Sequence, residues 1–205
     1  MKIKNFKTFE SVSLWNDFID KVNKGIIPKD NIDLQNVNQL IKLIPQNSKI
    51  LDISIGDGIY SEYFIDKGFD VYGTDISDLA IDTMKEKQSD YTWVVHDTLK
   101  KFPFPNNFFD LVFARLSLHY FVMDEVVKVL SDINRILNDN GYLYILVKTS
   151  NTGNVITGKV SYDKETWLDV LSETFKIVYS KEEFKKAYSF EKDPSNLLHL
   201  IVQKN

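Results

Sequence analysis

Apolar residues recur along this chain at two different spacings, and the changes of spacing divide it into elements. Leu14, Trp15, Phe18, Ile19 and Val22 fall three and four residues apart, which predicts an amphipathic helix over residues 12–23, closed by Gly25 and Pro28. Leu34, Val37, Leu40, Ile41 and Ile44 repeat that spacing up to Pro45. From Lys49 onward short apolar runs alternate with helical patterns. The runs predict buried strands at 49–53, 69–74, 91–95, 109–114 and 142–148. The helices fall at 59–67, 78–87 and 124–137; Ser77 is placed to cap the second, and Val126, Val129, Leu130, Ile133 and Leu137 line one face of the third. The turn Asn138-Asp139-Asn140-Gly141 stops that helix, with Gly141 expected to supply a positive φ. After residue 149 the pattern changes. Residues 151–161 are polar and read as a mobile surface loop, 164–173 as a helix, and 175–180 and 197–203 as two strands with no helix between them, so these are expected to pair antiparallel at one sheet edge.

Strands alternating with helices predict an α/β fold: a doubly wound, Rossmann-like, mostly parallel sheet with an antiparallel C-terminal edge strand. We read residues 1–205 as one domain, with a helical extension over 1–45, a ligand-binding core over 49–149 and a C-terminal helix and strand pair over 150–205.

Composition narrows the chemistry. The chain is 43 % hydrophobic and carries 14 Phe and 10 Tyr, enough for a core at this length. No apolar run approaches the ~18 residues of a membrane span. Residues 1–10 are charged and lack the apolar segment of a signal peptide, so a soluble cytoplasmic protein with no membrane partner is expected. With no cysteine there is no thiolate nucleophile, disulfide or cysteine-held cluster. The net charge is −4, and only two of the 25 basic residues are arginines, Arg115 and Arg135, which argues against a nucleic-acid partner. Lys181 to Lys186, interrupted by Glu182 and Glu183, reads as a solvated strand edge or loop.

The most specific local signal is Ile50-Leu51-Asp52-Ile53-Ser54-Ile55-Gly56-Asp57-Gly58. It is a buried strand that runs into a glycine-bearing turn; a helix follows, and then a second strand ending on Asp75. Glycines let the backbone approach a ligand, and an acid at the end of the second strand can accept both hydroxyls of a ribose. Aspartate is also a common turn former, so the acid counts mainly because it follows the turn.

In this order the motifs resemble those of class I S-adenosylmethionine-dependent methyltransferases of the small-molecule, type 11-like kind. The family's strand-one motif appears as Leu51-Asp52-Ile53-Ser54-Ile55-Gly56-Asp57-Gly58, with Ser54 where the first glycine stands. Its second-strand acid appears as Asp75, its third-strand acid as Asp97, and its strand-four run as Phe104-Pro105 through Phe109-Asp110-Leu111-Val112. The resemblance implies S-adenosyl-L-methionine as cofactor. It places Asp75 on the ribose hydroxyls with Ile76 beside the adenine, Asp97 on the adenine amino group with Thr98 nearby, and Asp52 under the amino-acid end. Ser54, Gly56 and Gly58 form the turn beneath the cofactor, Tyr60 lines the pocket and Arg115 lies near the methionine moiety. It also implies that the N-terminal helices close over the acceptor, with residues 151–161 as a second lid.

The rim after strand four, Arg115 to Phe121, holds His119, the candidate general base; packing and capping of the next helix is the competing role. Asp110 reads as a structural hydrogen-bonding residue, Trp93 as core, and His96 and His199 as structural histidines without metal-like neighbours. No metal is expected. The reaction implied is methyl transfer to a small-molecule acceptor. The acceptor atom and the oligomeric state stay open at this point. Alternatives are a transfer RNA or protein acceptor, a non-catalytic adenosylmethionine-binding module, or a nicotinamide oxidoreductase. The last is disfavoured by Ser61 and by Asp52 within strand one.

Overall fold

A strand that runs parallel to its neighbour must be re-entered through a crossover, and the helices between the central strands supply those crossovers. The computed structural model describes residues 8–29, 32–149, 155–156, 159–160, 162–185 and 195–205. The N-terminal extension is α1 (Thr8–Asn23) and α2 (Leu34–Ile41). The core runs β1 (Lys49–Ile53), α3 (Ile59–Asp66), β2 (Asp70–Asp75), α4 (Asp78–Lys87), β3 (Thr92–Val95) and β4 (Phe109–Arg115). A 3₁₀ turn, Leu118–Tyr120, leads into α5 (Met123–Ile136) and β5 (Leu137–Thr149). Two short strands, β6 (Val155–Ile156) and β7 (Lys159–Val160), pair with each other. The chain then forms α6 (Lys164–Ser172), β8 (Phe175–Lys185) and β9 (Ser195–Lys204). The loop expected at 151–161 otherwise lies outside the described residues, as does Lys186 of the charged run.

The main sheet has the order β3-β2-β1-β4-β5-β9-β8. β1 to β5 are mutually parallel, and β9 is antiparallel to both neighbours. The C-terminal strand therefore lies one place in from the edge, which β8 forms. The winding direction reverses between β1 and β4, and in open α/β sheets the crevice at such a reversal takes the ligand.

Side chains alternate between the two faces, and both faces are covered. Leu51, Ile53, Val112, Leu143 and Ile145 pack under α5 and α6 with Val126, Ile133, Trp167 and Leu171. Ile50, Val71, Leu111, Phe113 and Tyr144 pack under α2, α3 and α4 with Val37, Leu40, Phe64, Ile81 and Met84. Trp93 is core, as expected (6 % exposed), and its ring lies over Gly73 on β2, where a Cβ would come within 2.5 Å of it.

Two expectations are corrected near the start of β5. Residues 138–141 do not separate helix from strand, because β5 already begins at Leu137, paired with Phe109; they form an irregularity within β5, between that pair and Leu111–Tyr142. The positive φ (63°) belongs to Asn140, not Gly141. Gly141 is required for closeness instead, since a Cβ there would sit 2.9 Å from the carbonyl oxygen of Asn138. Asp110 has the structural role expected of it. It accepts the Lys49 backbone N–H (2.9 Å) and the Asn138 side-chain amide (2.7 Å), pinning the start of β1 to the start of β5.

Candidate functional site

β1 ends at Ile53, and the chain turns sharply because three residues adopt left-handed backbone: Ser54 (φ 60°), Gly56 (φ 58°) and Gly58 (φ 77°). For the two glycines this is free of side-chain strain; for Ser54 it costs ~1–2 kcal/mol. Gly58 caps α3 and packs so tightly that a Cβ would meet Met84 Sδ at 2.2 Å. Gly56 is the opposite case. A Cβ built there meets nothing within 4 Å, so the upper surface of the turn is open space bounded by backbone.

Two buried carboxyls flank that space. Asp75, at the end of β2, accepts the Gly56 N–H (3.0 Å) and the Ser77 N–H (2.8 Å), which ties the turn to the start of α4. Burial pushes its carboxyl up to about 6, against the lowering effect of the N–H groups of Ser77, Gly56 and Ile76. Asp52, on β1, accepts the Ser61 hydroxyl at 2.6 Å. Burial pushes it up to about 7, opposed first by the Ser61 hydrogen bond; Asp75 adds to the rise and Arg115 subtracts from it. Carboxyls kept this dry are strong acceptors for a partner that brings hydroxyls or an ammonium group. Ser61, which breaks the nicotinamide fingerprint, is thus the residue that satisfies Asp52.

The rim after β4 lies beside them. Arg115 holds its guanidinium 4.7 Å above the Tyr60 ring, and that ring lies 5.3 Å from Phe113. The Tyr60 hydroxyl accepts the backbone N–H of Asp33 (3.0 Å), on the segment ahead of α2. Leu116 takes a left-handed φ of 51° and donates its N–H to the Leu146 carbonyl on β5 (2.7 Å), which holds the end of β4 against the sheet. Backbone strain of this kind is common at functional sites. His119 follows in the 3₁₀ turn, 1 % exposed, its ring 4.5 Å from that of Tyr120. Burial raises the Tyr120 phenol.

The third segment is the loop after β3. The His96 N–H bonds the Asp75 carbonyl (2.7 Å) and brings that loop alongside the end of β2. Asp97 is half-buried, and its Oδ1 accepts the N–H of Leu99 (3.0 Å), a local turn contact. Thr98 is buried and Ile76 half-buried. His96 itself packs on Phe102, and burial lowers its pKa.

Helix α1 lies across two of these segments. Asn16 donates to Asp78 (2.7 Å) and accepts the Ser77 hydroxyl (2.6 Å), while Asn23 bonds Thr83 (3.1 Å), so α1 is fastened along α4. At the rim, Trp15 meets Tyr120 edge-on at 5.5 Å. Thus Asp52, Ser54, Gly56, Gly58, Asp75, Tyr60 and Arg115 come together at the ends of β1, β2 and β4; Asp97 and Thr98 stand one strand further out, and His119 behind the rim.

Sequence reasoning missed Ser61 and Asn16. It also misjudged His199, which is not isolated: Glu183 Oε1 lies 3.1 Å from its Nε2, and Asp33 is close by. No sequence spacing signals that grouping, since Asp33 lies far along the chain from the strand pair that carries Glu183 and His199.

Residues 51–145 match a family described as "Methyltransferase domain". Among curated proteins, the chain is 28 % identical over 143 residues to the eEF1A lysine and N-terminal methyltransferase of Bos taurus, covering 67 % of this chain and 20 % of that protein. It is 30 % identical over 109 residues to the malonyl-[acyl-carrier protein] O-methyltransferase of Legionella pneumophila, covering 51 % of this chain and 37 % of that protein. The chain thus spans about one fifth and well under half of these two relatives. The structure superposes on Burkholderia thailandensis 1,6-didemethyltoxoflavin-N1-methyltransferase with a TM-score of 0.73 at 16 % identity, over 100 % of this chain and 93 % of that one. Among the described residues no helix is long and apolar enough to cross a membrane.

Proposed function

We propose that this chain, whose residues 51–145 match a methyltransferase-domain family, transfers a methyl group from S-adenosyl-L-methionine to a small-molecule acceptor by in-line displacement. One observation carries the reading. Two buried carboxyls, Asp52 and Asp75, stand on adjacent parallel strands at either side of a glycine turn whose outer surface is open.

The residues present fit that cofactor. Its ribose diol and ammonium are the donors that dry carboxyls with raised pKa values require, and the open Gly56 surface leaves its backbone reachable. When bound, the cofactor supplies a methyl group already activated by a sulfonium. The protein's part is then placement, and holding two reactants in near-attack geometry can supply ~7–11 kcal/mol. In this reading Asp75 receives the ribose hydroxyls on the lone pairs left by Gly56 and Ser77. Asp52 holds the amino-acid end, and Arg115 is anchored over Tyr60 at the mouth. Ile76, Asp97 and Thr98 line the adenine side. Ser54 keeps the turn in shape at some strain. His119 takes the acceptor's proton where the acceptor is protonated, which requires the 3₁₀ turn to shift, because the ring is buried.

A small acceptor is favoured because α1, fastened to Ser77, Asp78 and Tyr120, covers the mouth. A second reading, an amino group on a protein, draws on the lysine and N-terminal methyltransferase relative. The deciding experiment is titration of the purified protein with S-adenosylhomocysteine against an NADH control, followed by radiolabelled methyl transfer to small-molecule and protein extracts. Binding of neither nucleotide would overturn the reading. Label entering protein alone would replace the small acceptor with the second reading.

A further inference from the structure

Away from the glycine turn, ionisable side chains from three separate elements converge on one point. His199, on β9, is wholly buried. Its Nδ1 lies 2.9 Å from the Tyr144 hydroxyl on β5, and its Nε2 lies 3.1 Å from Glu183 Oε1 on β8. Asp33, just ahead of α2, brings a carboxylate to the same place. The nearest ligand atoms of Asp33, Glu183 and His199 all lie within 4.8 Å of one another.

One imidazole and two carboxylates make a donor set for a divalent first-row transition ion. The surroundings orient each donor. The Tyr144 ring is stacked on Phe113, with centroids 4.8 Å apart and planes at 7°, so its hydroxyl is fixed on Nδ1. That leaves Nε2 facing the carboxylates, the arrangement of a ligating histidine held by an outer partner. Asn36 steadies Asp33 through its backbone N–H (3.3 Å) and side-chain amide (2.8 Å). Two carboxylates this close repel each other, and a cation between them removes the repulsion. Lys181 supplies one positive charge already, but on the far oxygen of Glu183, Oε2, at 3.0 Å. The near oxygen, Oε1, is turned to His199.

We propose that Asp33, Glu183 and His199 bind one divalent transition-metal ion, which clamps the segment ahead of α2 to the β8–β9 pair. The ion takes the place of the proton between Nε2 and Oε1. The imidazole proton then sits on Nδ1 and is donated to the Tyr144 oxygen, and Lys181 keeps its place on Oε2. The clamp reaches the rim, because the backbone of Asp33 holds the Tyr60 hydroxyl and the Tyr60 ring carries Arg115. The proposal does not depend on methyl transfer.

The test uses the untagged full-length protein, freed of metal by a chelator. Co²⁺ is titrated in and followed by its visible absorption, Zn²⁺ by calorimetry, and Mg²⁺ serves as the hard-ion control. We expect one equivalent of Co²⁺ or Zn²⁺ to bind and to raise the melting temperature. Glu183→Gln and Asp33→Asn, both partly exposed and so tolerant of change, should each weaken Co²⁺ binding tenfold or more and abolish the rise. Tyr144→Phe should weaken it about 10- to 100-fold. S-adenosylhomocysteine titrations on the same samples separate failure here from failure of the cofactor reading. Absence of saturable one-equivalent binding, or equal binding in both carboxylate variants, would overturn the metal site.

Discussion

Replacing Asp75 with asparagine separates what this carboxyl does for the fold from what it does for the ligand. Burial raises it from 3.8 to about 6. Keeping it ionised at pH 7.5 therefore costs the folded protein ~3 kcal/mol, a rise of roughly two units. Asparagine escapes that cost. It also turns an NH₂ toward one of the two backbone donors now served, Gly56 N–H at 3.0 Å or Ser77 N–H at 2.8 Å. Leaving one such N–H unmet costs ~1–3 kcal/mol. The two effects oppose, so stability should change by less than ~2 kcal/mol in either direction. Ligand affinity has no such offset. Hydrogen bonds from ribose hydroxyls to a charged acceptor are worth ~1.5–3 kcal/mol, so the dissociation constant for S-adenosylhomocysteine should rise roughly 10- to 150-fold. Calorimetric titration gives the affinity, and urea unfolding of the ligand-free protein gives the stability. An unchanged affinity would remove Asp75 from the ligand. A stability loss above ~4 kcal/mol would show that it serves mainly to hold the turn.

Other perturbations probe separate parts of the structure. Asp52 and Asp75 bind protons more tightly folded than unfolded. The stability they contribute is therefore fully present below pH ~4 and is lost as pH rises through about 6 and about 7; urea midpoints from pH 4.5 to 8 should show this decline, and a slope undiminished in Asp52→Asn would contradict its cause. Gly73→Ala drives a Cβ to 2.5 Å from Trp93 and 2.8 Å from Ile55, and overpacking of this kind costs ~1–3 kcal/mol, readable as a lowered melting temperature. Ser54→Gly relieves ~1 kcal/mol of left-handed strain, partly offset by glycine's extra chain entropy, so stability should rise slightly with cofactor binding retained; a clear fall would mean that the hydroxyl has a partner of its own. Trp15→Ala removes the edge-on contact with Tyr120, and limited proteolysis should then cut within α1 faster while the core persists.

What could be read from the sequence was what neighbouring residues decide together. The path from Ile50 through the glycine turn to Asp75 is one supersecondary unit, so residues close in sequence bring Gly56 and Asp75 into contact beside Asp52 on the neighbouring strand. The strand pair at the C-terminus was legible because no crossover helix separates it. The start of β5 was not, because Asn138-Asp139-Asn140-Gly141 has the composition of a turn. Only the pairs on either side of it, Leu137 with Phe109 and Tyr142 with Leu111 on β4 nearly 30 residues earlier, draw it into the strand as an irregularity. The fastening of α1 by Asn16 to Ser77 bridges 61 positions, and the meeting of Asp33 with His199 joins opposite ends of the chain. Such contacts follow from the folded topology and leave no local periodicity to detect. Tyr60 starts the helix after the turn, as its place in the sequence implies, but its hydroxyl meets a backbone N–H in another segment.

The position of β9 between β5 and β8 also governs the order in which the protein can be assembled during synthesis. On a ribosome the strands β1 to β5 emerge first and can pair among themselves. The open side of β5 must then wait while residues 150–194 are made, about 2–9 s at ~5–20 residues per second. β8 emerges within that interval with no sheet neighbour, carrying the exposed Val178 and Phe184. Two unpaired strand flanks on one nascent chain invite pairing with a second chain. The yield on overexpression should therefore respond to translation speed as well as to the stability of the finished fold.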